Sequence, residues 1–290
     1  MDSENQKSKV NRRFFLGGAA AAFAGITLMP GKEVRGIDFK QVKEVLPVYN
    51  VSDYGIFGNG TTINTKAFQN LIDTCSKNGG GTIFFPPGNF LTGAFRIKDN
   101  VNIYLSPGAI IWGSKNQVDY NGYESLVYAE DAKNISITGT GTINGNGMSF
   151  WDDYMRGEVS FEEWRANNWR PNRMFLFIRC ENLRLHDFTI ENSPSLTIHP
   201  IDCDRVIMTG ISILNGIYDK DGPNTDGINP DGCSRVIISD CFIQCGDDCI
   251  VLKITERSTT KVCRDVVVTN CVLITTETAD RKSTRLNSSH

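Results

Sequence analysis

Short runs of alternating apolar and polar residues recur along the second half of the chain, each closed by Gly, Asn or Asp. The segments beginning at Cys180, Cys203, Cys233 and Cys263 superimpose residue for residue, with starts 23, 30 and 30 residues apart. In each, an apolar residue stands three and five places after the Cys: Leu183 and Leu185, Val206 and Met208, Val236 and Ile238, Val266 and Val268. An earlier copy begins at Ala132. The interval reads as a basic turn of about 23 residues, with some seven inserted in two of the copies. Val/Ile-rich alternation punctuated by turn residues predicts strand, turn, strand rather than helix. One such turn cannot bury its apolar side, but stacked turns can, and fixed-period self-similarity marks a solenoid. The predicted fold class is all-β, a right-handed parallel β-helix.

One segment follows the helical period instead. Ala67, Phe68, Leu71, Ile72 and Cys75 fall on one face of a helix over 65–77, with Asn64 or Thr65 available as cap and Gly79 to Gly81 as stop. Its expected role is to cover the exposed end of the first turn. Strands are predicted at Thr82–Phe85, Phe90–Phe95 and Val101–Leu105, separated by Pro/Gly turns. Residues 146–172 interrupt the repeat with a polar-aromatic loop containing Trp151, Trp164, Trp169, Arg165 and Arg170. Such a loop either carries binding residues or packs its tryptophans into a local cluster.

Charge and termini bound the function. A net charge of −3 gives no basis for a nucleic-acid partner. Lys7, Lys9, Arg12 and Arg13 precede an apolar run from Phe14 to Met29, too short for a membrane span. Asn11-Arg12-Arg13-Phe14-Phe15-Leu16 resembles a twin-arginine export signal, so residues 1–24 are expected to be removed. The mature protein is then expected in the periplasm or outside a bacterial cell, as a monomer without stable membrane insertion. A β-helix domain is expected over 45–279, incomplete at its C-terminus. Residues 280–290, polar and basic, are read as a non-native tail, and the isolated chain is expected to be inactive or poorly soluble. All nine cysteines follow the signal. Those at equivalent repeat positions are expected to stack as buried, reduced thiols, in preference to zinc ligation by Cys241, Cys245 and Cys249.

The candidate chemistry lies in three carboxylates: Asp226 in Asn224-Thr225-Asp226-Gly227, and the pair in Gly246-Asp247-Asp248-Cys249. Asp226 and Asp247 stand 21 residues apart, about one turn, which predicts that they sit one above the other. Glycoside hydrolysis needs one carboxylic acid for the leaving oxygen and another carboxylate for water. Asp-Gly pairs also form ordinary turns, but two adjacent acids repel and gain nothing structural. Calcium binding is the competing reading of such a cluster. His199 reads more readily as a structural partner than as a substrate contact, and Lys253 either meets a substrate carboxylate or offsets a neighbouring Asp.

Arg170-Pro171, Asn192 to Pro200, Asn224 to Gly227 and Gly246 to Ile250, in this order and one turn apart, resemble glycoside hydrolase family 28, the polygalacturonase family. The resemblance runs from about Tyr49 to Cys271 and implies inverting hydrolysis of galacturonic-acid chains without cofactor or metal. It implies Asp247 as general acid, Asp226 and Asp248 as the groups that hold and deprotonate water, and Asn224, His199, Lys253, Arg170 and Asn229 as substrate-binding residues. Where the family carries Gly-His-Gly, this chain has Thr275-Thr276-Glu277-Thr278-Ala279; Asn229 replaces a frequent Asp and Leu196 a frequent Trp. The backbone attacked is therefore open between polygalacturonan and rhamnogalacturonan or another decorated pectin. A calcium-dependent polysaccharide lyase and a non-catalytic carbohydrate-binding β-helix are the alternative functions.

Overall fold

The computed structural model describes residues 47–216, 224–255, 262–275 and 280–282, all within one compact unit, Leu46–His290. The expected export signal, Glu277 and most of the expected tail lie outside these residues.

Strands pair in parallel throughout and form three long sheets. The first runs Val48–Asn50, Gly81–Phe85, Val101–Leu105, Lys133–Gly139, Glu181–His186, Asp204–Thr209, Ser234–Ser239, Arg264–Thr269. The second runs Gly88–Thr92, Ala109–Gly113, Thr142–Asn144, Thr189–Glu191, Ser212–Leu214, Phe242–Cys245, Val272–Thr275. The third runs Phe95–Arg96, Ser125–Glu130, Arg173–Ile178, Leu196–Ile201. It continues through the bridges Ile198 to Ile228 and Ile228 to Ile250 into Ile250–Leu252. Each rung contributes one strand to each sheet in turn, giving a right-handed parallel β-helix.

The register matches the repeat. Leu183 lies opposite Val206, Val206 opposite Val236, and Val236 opposite Val266. These columns point inward: Leu183, Leu185, Val206, Met208, Val236 and Ile238 are buried. Each such side chain contributes roughly 1.5–3 kcal/mol when fully withdrawn from water. One position near the start of the later strands of the first sheet stacks as well. Asn100, Asn134, Asn182, Arg205, Arg235 and Asp265 all adopt left-handed backbone with φ between +55° and +62°. Asn tolerates this conformation, and its amide repays the strain by bonding along the axis. Asn134 Nδ2 donates to Asn100 Oδ1 at 2.9 Å and Asn182 Nδ2 to Asn134 Oδ1 at 2.8 Å.

Helix α1, Thr65–Lys77, forms where the helical period predicts it and packs on the first rungs. Phe68 meets the rings of Phe85 and Phe95 at 5.0 and 4.5 Å. Asn64 occupies the cap position without capping by its side chain. That amide instead bonds Phe57 and the carbonyls of Thr62 and Leu91, anchoring the helix entry to the second sheet. The strand predicted over Phe90–Phe95 is divided: Gly88–Thr92 and Phe95–Arg96 belong to different sheets, with the corner between them.

The interruption at 146–172 is not an open loop. It folds into α2, Met148–Met155, and α3, Phe161–Asn167. Phe150, Trp151 and Trp164 form a buried cluster with Trp169 packed against it. Trp164 Nε1 donates to the carbonyl of Phe150 at 2.8 Å. The short amphipathic period was hidden because each helix has only two turns. The boundary expected at residue 280 falls at the start of a strand, Asp280–Lys282, which pairs in parallel with Ile250–Leu252.

Candidate active site

The three carboxylates occupy neighbouring rungs at the third sheet. The offset between the rungs is fixed by the bridge from Ile228 to Ile250 and by the Gly227 amide donating to Asp248 O at 2.9 Å. That offset is 22 residues, not 21, so Asp226 is level with Asp248, and Asp247 lies one residue earlier. At the bend Gly246-Asp247 the Asp248 amide donates to Asp247 Oδ1 at 2.8 Å. Gly227 is required by the rung above it: a Cβ there would run into the Cys249 carbonyl and approach Ile243 Cγ2 to 2.7 Å. Gly therefore lets the rung carrying Asp226 close onto the rung carrying Asp248.

Asp226 and Asp248 are buried at 6% and 5% exposure, whereas Asp247 is more exposed. Lys253 Nζ donates to Asp226 Oδ2 at 3.0 Å, so in this structure Lys253 offsets an Asp charge. Burial pushes the Asp226 carboxyl up to about 6. The Lys253 ammonium works against that rise, and the charges of Asp247 and Asp248 add to it. The Asp247 loop is tied by its carbonyl, which accepts from Thr275 Oγ1 and from Cys245 Sγ.

Arg170 and Asn224 are brought together. Arg170 Nη2 donates to Asn224 Oδ1 at 3.0 Å and Nη1 to the Pro194 carbonyl at 2.7 Å, while its guanidinium lies 4.6 Å from the Trp164 ring centroid. The interrupting helices thus reach the turn that carries Asp226. Asn229 is fully buried, and its amide finds no hydrogen-bond partner among the described residues.

His199 sits inside the wall, 3% exposed. Arg173 Nε donates to Nδ1 at 3.1 Å, and Nε2 faces Asp231 Oδ2 at 3.4 Å. A nitrogen that accepts from Arg173 carries no proton, so the neutral ring keeps its proton on Nε2. Burial lowers the His199 pKa, which favours this neutral form. Asp231 also accepts from the Thr255 amide and hydroxyl. Burial alone would raise its pKa, but these bonds and that of His199 bring it below the usual range. Arg173, Asp231 and Thr255 were not foreseen. One signal for Asp231 was present: it stands 22 residues before Lys253, the same rung offset, and the two pair as a bridge. Among the described residues no cluster of three or more His, Cys, Asp or Glu is arranged to hold a metal ion, and no helix is long and apolar enough to cross a membrane.

Comparison with known proteins places this geometry. A polygalacturonase of Persea americana is 29% identical over 213 residues, 70% of this chain and 43% of that protein. An exo-poly-alpha-D-galacturonosidase of Dickeya chrysanthemi is 26% identical over 254 residues, 70% of this chain and 41% of that protein. The chain thus spans less than half the length of these two curated relatives. The crystal structure of a hyperthermoactive exopolygalacturonase from Thermotoga maritima superimposes with a TM-score of 0.67 at 27% identity, covering 79% of this chain and 60% of that one. The family model for glycosyl hydrolases family 28 matches residues 75–281, from the end of α1 to the last described strand, and the chain belongs to that family.

Proposed function

We propose that this chain hydrolyses glycosidic bonds in a pectic, galacturonic-acid-containing polysaccharide, with inversion and with Asp226, Asp247 and Asp248 as the working groups. The observation that carries the reading is the carboxylate cluster: two buried acids level with each other, a more exposed one beside them, and one ammonium against Asp226. The relatives named for polygalacturonase activity support the substrate class. The basic and apolar N-terminal segment supports action outside the cytoplasm.

The roles follow from the surroundings. Lys253 stabilises the anion of Asp226, which suits a group that takes a proton from water and not one that delivers a proton to a leaving oxygen. Asp247, the exposed member, is assigned as the general acid. Asp248, beside it on the rung level of Asp226, shares the water. Inversion leaves room for that water between acid and base, which are about 6.5–9.5 Å apart in inverting enzymes. Asn224 and Arg170 border the cluster and are assigned to the sugar. Asn229 is assigned to it too, because its buried amide has no hydrogen-bond partner among the described residues. His199 acts by holding Asp231 in the rung that pairs with Lys253.

The test incubates the protein with polygalacturonan and, separately, rhamnogalacturonan, with chelator present, following reducing ends and ultraviolet absorbance together. New reducing ends without absorbance, abolished by Asp247→Asn, are expected. An absorbing, unsaturated product that disappears with chelator would make the protein a lyase. Binding without any new chain ends, unaffected by Asp247→Asn, would make it a carbohydrate-binding β-helix.

A further inference from the structure

We infer that Cys245 and Cys249 are a disulfide-forming pair that closes the backbone around Asp247 and Asp248. The two sulfurs are 3.5 Å apart, with the Cys245 thiol donating to Cys249. Cys245 ends the strand Phe242–Cys245 and Cys249 directly precedes Ile250–Leu252. The bond would therefore span the turn that presents both acids.

The other repeat cysteines are placed differently. Cys203, Cys233 and Cys263 each direct Sγ at two backbone carbonyls, one on their own rung and one on the rung before: Ile201 and Phe177, Asp231 and Pro200, Lys253 and Pro230. Cys241 and Cys271 do the same with Ser239 and Met208, and with Thr269 and Ile238. Those thiols satisfy a repeating backbone need. Cys245 and Cys249 stand outside this column and share one rung; Cys245 Sγ also meets the Asp247 carbonyl and Cys249 Sγ those of Ile243 and Ile274, and the two sulfurs lie against each other within the rung. Two thiols beside a pair of acids supply no proton that the hydrolysis uses, so the mechanism leaves them without a role. A covalent tie gives them one: it fixes the turn on which Asp247 projects.

The chemistry is thiol–disulfide exchange with a small-molecule disulfide. The Cys249 thiolate attacks one donor sulfur and expels a thiolate. Cys245 then loses its proton and attacks the Cys249 sulfur of the mixed disulfide, expelling the second donor thiolate. The protein loses two electrons and two protons, and the donor disulfide becomes two thiols. The hydrogen bond from Cys245 lowers the pKa of Cys249, the attacking sulfur in this order. Both sulfurs are buried, at 2% and 0% exposure. Exchange therefore takes place before the next rung closes over the turn, and the finished bond is shielded from reductant. An oxidising compartment is where such bonds persist.

The crosslink stands independently of the hydrolase reading; its effect on rate rests on it. The full chain is unfolded with reductant, then refolded either in a reduced/oxidised glutathione buffer or under reductant alone, and its cysteines are alkylated after denaturation and mapped by mass. The oxidised sample should yield residues 245 and 249 joined, unalkylated and two hydrogens lighter, with both alkylated after reduction. In Cys245→Ser, Cys249 should be alkylated under both conditions. Protein purified directly from an oxidising compartment is mapped in parallel, so that the result does not depend on refolding. Alkylation of both residues in the oxidised and directly purified samples, or linkage of either to another cysteine, overturns the pairing. Reducing-end release should fall at least threefold in the reduced protein, while the Cys245→Ser/Cys249→Ser double variant should not respond to redox state. Equal rates in both redox states would overturn the role in fixing the acids. If no sample hydrolyses pectin, the proposed function fails and the peptide map still decides the crosslink.

Discussion

Lys253 and Asp226 form an ion pair across neighbouring rungs, Nζ to Oδ2 3.0 Å, with side chains 19% and 9% exposed. It sits where three carboxylates converge, and it decides how much of that charge the fold can hold. Burial raises the Asp226 pKa first, and the two further acids add to the rise; Lys253 opposes both and leaves the group near 6. If Asp226 works as a base, it must be ionised, so kcat/KM should climb as pH rises through about 6. Removing the ammonium in Lys253→Met should move that acidic limb upward by about one pH unit or more. The pH profile of reducing-end release checks this. A limb that stays in place would detach it from Asp226, and a limb on the alkaline side would make Asp226 the proton donor.

The same shift is a statement about stability. Asp226 has a raised pKa in the folded protein, so its contribution is favourable below the unfolded value near 4 and is lost as pH rises through about 6. Above pH 6 the fold carries a buried carboxylate that it would hold more easily as a neutral group. Asp226→Asn should therefore stabilise the protein at pH 7, by as much as about 3 kcal/mol for a shift of about two units, and have little effect near pH 4. Urea unfolding at the two pH values reads the difference. Equal effects at both would show that the carboxylate is not under strain. The gain should come with loss of hydrolysis, since the strained group is the working one.

The repeat was legible because a β-helix writes its geometry into the chain. Leu183, Val206, Val236 and Val266 recur at one position because each must fill the same column. The left-handed backbone at Asn134 and Asn182 recurs at one repeat position as well, but it falls inside the strand runs and carries no turn signal of its own. What escaped was anything set by a single residue of register or by distant contact. Asp226 aligns with Asp248 and not Asp247 because the rung offset at the site is 22 residues and not the 21 that separate Asp226 from Asp247, and no propensity signals a difference of one residue. The pairing of His199 with Arg173 and Asp231 joins three rungs, and a hydrogen bond between rungs leaves no local pattern. The helices α2 and α3 bury Trp151 and Trp164 in a cluster of their own; in the sequence their aromatics read equally well as exposed sugar contacts. The cap at Asn64 misled for a related reason, since its amide had a better use in binding Leu91 across the corner.

Arg170 ties three segments that are far apart in sequence: the Trp164 ring, the Pro194 carbonyl and the Asn224 side chain. Its planar fork serves two acceptors at once while its face lies over the indole. A lysine offers one compact ammonium and no such face. Arg170→Lys should therefore recover little of what Arg170→Ala loses, with both costing about 1–3 kcal/mol in unfolding experiments. KM should rise in both variants, because the turn that carries Asn224 leads directly into Asp226. A lysine variant with wild-type stability and KM would reduce Arg170 to a dispensable surface charge.

Asn229 offers a test that separates structure from function. It is fully buried, and neither its amide nitrogen nor its oxygen has a hydrogen-bond partner among the described residues. Its main-chain amide is satisfied, donating to the Ile198 carbonyl at 2.8 Å, so the unpaired group is the side chain alone. An unpaired buried amide costs about 1–3 kcal/mol, and an apolar group of similar shape escapes that cost. Folding by itself therefore gives no reason for Asn at this place, and Asn229→Leu should raise stability by about 1 kcal/mol. If the amide is kept for the sugar, the same substitution should lower kcat/KM about tenfold or more, since a polar partner on the substrate would then be left unpaired. Chemical unfolding and steady-state kinetics on one variant read both effects. Higher stability with unchanged kinetics would remove Asn229 from the site, and lower stability would mean that its amide is satisfied within the fold after all.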